Sequence, residues 1–170
     1  KQNHGPAELM LGEGLIYEKR GAGDIIEGLA MIRKAAERGY PTAQYRLGVM
    51  LDRGEMPDKD EKQAATWLSK AAEQGHPYSQ ELLASMYLAG RGVRQSERDA
   101  VKWLKPAAEQ GRPYAQAVLG HLYFVGLGTK KNEAEALKWT GKAANQGEAY
   151  AETHMGYMYA QGSGGLPHDD

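Results

Sequence analysis

Five histidines are the residues best suited to move a proton or hold a metal: His4, His76, His121, His154 and His168. An imidazole does either job only where a carboxylate or further ligands converge on it. His4 and His168 lie in polar tails, and His76 precedes Pro77 in a turn. His121 and His154 fall on separate helical stretches with no evident carboxylate partner, so they read as surface or half-exposed residues. Gly90-Arg91-Gly92 and Gly126-Leu127-Gly128 faintly resemble phosphate-cradling loops, but each follows a helix and lacks a third glycine, so they read as turns. No His-Glu-x-x-His, Ser-x-x-Lys, Gly-x-Ser-x-Gly or Gly-Lys-Ser/Thr sequence occurs, and there is no cysteine. The expectation is a protein with no catalytic residue, no metal site and no cofactor.

Charge narrows the partners. Lys and Arg number 21 against 22 Asp and Glu, a formal net charge of -1 with both signs scattered. That leaves no basic footprint for nucleic acid or an anionic membrane. No apolar run nears the roughly 18 residues of a membrane span, and no secretory pattern opens the sequence. The sequence begins at Lys1, which is compatible with a removed leader or a longer parent.

The elements that must position any site come from a phrase said four times. Ala35-Ala36-Glu37-Arg38-Gly39 returns at Ala71 to Gly75, Ala107 to Gly111 and Ala143 to Gly147, a step of 36 residues. Met31, Trp67, Trp103 and Trp139 keep that step, as do Gly12, Gly48, Ala84, Gly120 and Gly156. A period of this length marks a stacked repeat array. Each copy predicts two helices. Helix A carries an apolar stripe, read as Ala7, Leu11, Gly14 and Leu15 first and Ala43, Leu47, Met50 and Leu51 next; it starts at Pro41, Pro77 or Pro113 and stops at Gly54, Gly90, Gly126 or Gly162. Helix B starts behind Asp24, Asp60, Ser96 or Asn132 as N-cap and closes on the repeated phrase, whose small residues let helices approach. The expected units are 4–39, 40–75, 76–111, 112–147 and a half repeat 148–165, one array over 1–170 and an excerpt of a longer protein.

Three departures stand out. Pro106 occupies the column of Lys34, Lys70 and Lys142, which predicts a kink or early loss of helical bonding. Met56-Pro57 predicts a locally different turn. The stretch Gly162 to Pro167 opens a connection that no helix B follows, leaving the last helix A with an open apolar face for self-association or for capping by a partner.

Together the 36-residue period, the Ala-Ala-Glu-Gln-Gly close, the Leu-Gly step in helix A and the run Tyr87 to Val93 resemble the Sel1-like repeat family, a relative of the tetratricopeptide repeats. The resemblance implies an all-α, right-handed α-α superhelix (solenoid) of antiparallel helix pairs, about four and a half repeats here, with A helices lining a concave side. It also implies adaptor or scaffold work, often in bacterial signalling, envelope or host-interaction proteins, and a periplasmic or exported setting. A cysteine-rich branch is linked to penicillin binding; this chain lacks those cysteines.

Positions that differ between copies are the better guide to recognition, because packing positions must repeat. On helix A three variable columns share one face: Leu9, Tyr45, Glu81, Ala117, Thr153; then Glu13, Val49, Ser85, His121, Tyr157; then Ile16, Asp52, Leu88, Phe124, Ala160. The expected partner-binding residues are Tyr45, Val49, Asp52, Glu81, Ser85, Leu88, His121, Phe124, Thr153 and Tyr157, holding a peptide or protein segment. Packing against the neighbouring A helix is the competing reading for Leu88 and Phe124. A cell-wall-ligand or β-lactam-hydrolysing protein like the cysteine-rich relatives, or a structural spacer, are the alternatives.

Overall fold

The structure, a computed structural model, describes residues 5–17, 21–55 and 60–162. Among these residues every regular element is an α-helix and there is no strand. His4, His168, the Met56-Pro57 turn and the tail 163–167 lie outside the described residues. The chain divides into two compact units, Lys1–Ser79 and Gln80–Asp170.

The first unit holds α1 (Gly5–Tyr17), α2 (Ala22–Glu37), α3 (Pro41–Arg53), α4 (Glu61–Glu73) and the start of α5 (Pro77–Ala89). Odd-numbered helices are the A helices and even-numbered ones the B helices. The α1 and α2 backbones touch: a Cβ on Gly12 would stand 2.7 Å from the Gly28 carbonyl oxygen, and one on Gly28 2.6 Å from that of Gly12. In the next pair a Cβ on Gly48 would meet Leu68 at 2.7 Å. Glycine is therefore fixed at these crossings by contact rather than by turn geometry. The small residues of the repeated phrase, Ala35, Ala36, Ala71 and Ala72, are also fully buried, as expected.

The second unit holds the rest of α5, then α6 (Glu97–Glu109), α7 (Pro113–Val125), α8 (Glu133–Ala144) and α9 (Ala149–Ala160). Ala84, Ala100, Leu104, Ala107, Ala108, Leu119, Leu122 and Trp139 form its core, with Trp103, Tyr87 and Leu88 packed on it. Lys70 lies 4.0 Å above the Trp67 ring in the first unit and Lys142 4.5 Å above Trp139 in the second, so the Lys column of helix B shields the Trp column one turn away.

Both ends of helix B follow from single residues. Asp60 Oδ1 accepts the N–H groups of Lys62 and Gln63 at 3.0 and 2.9 Å; Ser96 Oγ accepts that of Asp99 at 3.2 Å, and Asn132 Oδ1 that of Glu135 at 3.1 Å. At the other end Gly75, at φ +85°, takes the left-handed turn that a Cβ would strain; its N–H reaches the Ala72 carbonyl at 2.9 Å and the next N–H, His76, reaches Ala71 at 3.0 Å. The pairs Gly39/Tyr40, Gly111/Arg112 and Gly147/Glu148 repeat this closure on their own alanines. The repeated phrase is thus a helix stop in which the two alanine carbonyls receive the turn.

Three expectations need correction. Asp24 is not an N-cap: α2 begins at Ala22 behind extended Gly21, and the Asp24 N–H is already committed to the Gly21 carbonyl at 3.0 Å. Leu11 is 60% exposed and Ala7 is exposed, because the face that Leu47 buries against a preceding helix pair meets no such pair among the described residues at α1. Helix α6 runs through Pro106 to Glu109, with the Gln110 N–H bonded to the Pro106 carbonyl at 3.1 Å, so the early loss of helix does not occur. At α9 only Ala151 and Met158 are buried, and Tyr159 is 41% exposed.

Candidate functional site

In the first unit Tyr45, Val49 and Asp52 come from α3. Tyr45 is half-buried and its ring lies 4.9 Å from His76 and 5.9 Å from Tyr78. Val49 is 5% exposed, a core residue that offers a partner little surface. Asp52 is half-buried. His76 has structural work: its Nδ1 accepts the Ser79 N–H at 3.3 Å and lies 3.0 Å from Ser79 Oγ, tying down the first turn of α5. Burial holds its pKa below the ordinary histidine value.

In the second unit Glu81, Ser85 and Leu88 come from α5. The Glu81 carboxylate grips Arg112 in two hydrogen bonds of 2.7 and 3.2 Å and accepts the Ala115 N–H at 3.3 Å. It therefore caps α7, whose own N-cap residue Arg112 supplies no side-chain acceptor. Leu88 packs on the core. Ser85 is half-buried, and Thr153 is exposed with its hydroxyl on the Ala149 carbonyl at 3.0 Å.

The remaining predicted residues, His121, Phe124 and Tyr157, meet two outside the expected binding set, Tyr150 and His154. His121 Nδ1 lies 3.4 Å from His154 Nε2, their rings edge to face. Phe124 stands edge-on to His154 at 5.2 Å and to Tyr157 at 5.8 Å. On α9, Tyr150, His154 and Tyr157 fall at i, i+4 and i+7, so their rings lie in a near-parallel row, with centroids 6.1 and 6.3 Å apart. Tyr150 and Tyr157 are 44% and 51% exposed. Burial lowers the pKa of both imidazoles, and at His154 the charge of His121 lowers it further; burial, and then Tyr114, raise that of the Tyr150 phenol. Among the described residues no three His, Cys, Asp or Glu side chains gather as a metal site would require.

A second missed feature is polar and repeats. Buried Gln116 donates through Nε2 to the Ala108 carbonyl at 2.9 Å and accepts from Gln146 Nε2 at 2.7 Å. Gln44 does the same with the Ala36 carbonyl, at 3.2 Å, and Gln74, at 2.8 Å, and Gln110 donates to Gln80 at 2.9 Å. In the first copy the same two columns hold Glu8 and Arg38, an ion pair at 2.7 Å. The sequence carried a signal for it: where one column changes from Gln to Glu, the column 30 residues on changes from Gln to Arg.

The family model described as Sel1 repeat matches residues 5–40, 41–76, 77–111, 113–148 and 149–170. No curated protein matches the chain. Among solved structures, a protective antigen present in uropathogenic Escherichia coli strains and displaying an SLR fold is 38% identical, with a TM-score of 0.88 over 94% of this chain and 34% of its own. A Sel1 repeat protein from Oxalobacter formigenes is 28% identical, also at 0.88, over 97% of this chain and 68% of its own. The chain thus spans about a third of the length of the first and two thirds of the second. Helicobacter pylori cysteine rich protein B shares the fold at 24% identity and a TM-score of 0.58, covering 68% of this chain and 86% of its own.

Proposed function

Because the chain belongs to the Sel1 repeat family, whose arrays are generally non-enzymatic scaffolds for protein–protein interaction, we propose that it holds a peptide or protein segment on the face made by its A helices. One observation carries this reading: the ring surface of His121, Phe124, Tyr150, His154 and Tyr157, two of whose members are about half exposed. Rings of this kind combine apolar area with polar edges and lose little freedom on binding. His121 and Phe124 stand on α7, which six buried residues hold in place, so that part of the surface is formed before a partner arrives. The exposed side of α9 around Tyr159 offers a second contact. The other expected residues divide: Glu81 and Leu88 serve the scaffold first, and Val49 belongs to the core.

The test is capture from a host lysate by the immobilised chain, compared with a variant carrying Tyr150→Ser and Tyr157→Ser. We expect a host protein that the parent retains and the variant loses, with thermal unfolding of the two nearly superimposed. Equal capture by the folded variant would remove the site from this surface. Covalent labelling of the parent by a penicillin would overturn the non-enzymatic reading.

A further inference from the structure

Two imidazoles placed nitrogen to nitrogen across α7 and α9 make a contact whose chemistry depends on proton count. At 3.4 Å, His121 Nδ1 and His154 Nε2 share a hydrogen bond only if one ring donates and the other accepts. Protonation of both turns the acceptor into a second donor and sets two positive charges against each other. The rest of the site does not offset that charge. From α7 the facing ring is Phe124; from α9 they are Tyr150 and Tyr157, with Tyr114 beyond Tyr150. From the connection after α7 comes Lys131, 5.7 Å above Phe124 and itself a cation. Between α8 and α9, Ala143 and Ala144 join Ala117 and Ala151 in a small apolar cluster. Neither imidazole is bonded to a carboxylate among the described residues, and His154 Nδ1 is buried without a partner.

The copies supply an internal comparison. The columns that hold His121 and His154 hold Glu13 and Arg46 in the first unit, an ion pair at 2.7 Å. This position accepts full charges when they are opposite. With two histidines it is stable only while at least one ring is neutral.

We propose that the His121–His154 contact makes the α7–α9 ring surface proton-gated: uncharged and closed at neutral pH, cationic and loosened in mild acid, so that a segment held at neutral pH is released on acidification. The inference rests on the A-helix face being the binding face. Its sign follows from linkage. Groups whose folded pKa lies below the unfolded value stabilise the folded contact in full above the ordinary histidine range, and that contribution is lost as pH falls through the folded values. α9 is the element that yields, because Ala151 and Met158 are its buried side chains.

The test reads the protein without a partner, so its failure is distinct from failure of the binding reading. Imidazole signals are followed by NMR from pH 8 to pH 4.5, together with amide exchange of α9 corrected for intrinsic rates. We expect His121 and His154 to titrate as a coupled pair in two steps below the ordinary histidine range. The opening constant of α9 should grow as pH falls, by up to about tenfold per pH unit for each proton taken up. H121F, which keeps a ring without a proton, should flatten the pH dependence of α9; H154Q serves the same end if H121F fails to fold. Independent titration at ordinary values, pH-independent opening of α9, or unchanged pH dependence in the folded variants each overturns the proposal.

Discussion

The amide of Gln116 gives the sharpest stability prediction. It is 4% exposed, donates to the Ala108 carbonyl at 2.9 Å and accepts from Gln146 at 2.7 Å. Gln116→Glu keeps the shape and the acceptor but replaces the donor by an oxygen facing a carbonyl, and buries a charge. Loss of one hydrogen bond plus an unsatisfied buried acceptor amounts to about 3 kcal/mol of destabilisation, moderated by uptake of a proton. Gln146→Arg alone leaves a donor in place on an exposed side chain and should cost less than about 0.5 kcal/mol. The double variant recreates the first copy, where Arg38 meets Glu8 at 2.7 Å, and should recover about 1.5 kcal/mol of the loss. Recovery is incomplete because the Glu8 side chain is 18% exposed and so keeps more of its water. Urea denaturation of the four proteins, with amide exchange across α7 and α8 to localise the effect, gives the coupling energy. Strict additivity of the two substitutions would refute the view that these columns form one interchangeable joint.

Three further substitutions bear on the helix ends and the proline. Ser96→Ala should cost about 1 kcal/mol through the lost cap, whereas Asp24→Ala, inside the first turn of α2, should cost about half of that or less; equal losses in thermal unfolding would contradict the assignment of Gly21 as the start of α2. Pro106→Lys restores a backbone donor and the lysine that elsewhere covers a Trp ring, and should stabilise by about 1 to 3 kcal/mol; an unchanged or lower urea midpoint would mean that α6 has adapted its geometry to the proline.

Most of the fold was legible because it is local. Caps such as Asp60 and Ser96, prolines at helix starts and left-handed glycines act within a few residues, and the period exposes each kind at least three times. What stayed hidden lies between columns. Reading each column down its copies shows that His121 replaces Glu13 and that His154 replaces Arg46, but not that these two columns touch; the offset of 33 residues appears only once the helices are stacked. The variable columns suggest a recognition face, yet Glu81 departs from its copies where it caps α7 through Arg112 and Ala115. Variation between copies thus reports exchanged packing solutions as well as recognition. Leu11 differs from its column for a related reason: a column is buried by its neighbours, and among the described residues no helix pair precedes α1.

The glutamine joint has a consequence for how such a chain can grow. Gln44 and Gln116 each reach back 8 residues to an alanine carbonyl, and their partners Gln74 and Gln146 each lie 30 residues ahead. Both offsets stay inside one period, so duplicating or deleting a block of 36 residues returns every donor to an acceptor of the same kind. An insertion inside one of the paired helices, unlike one in the connection between them, would turn the partner of that joint to another face. Array length can therefore change by whole copies while each joint keeps its directional bonds.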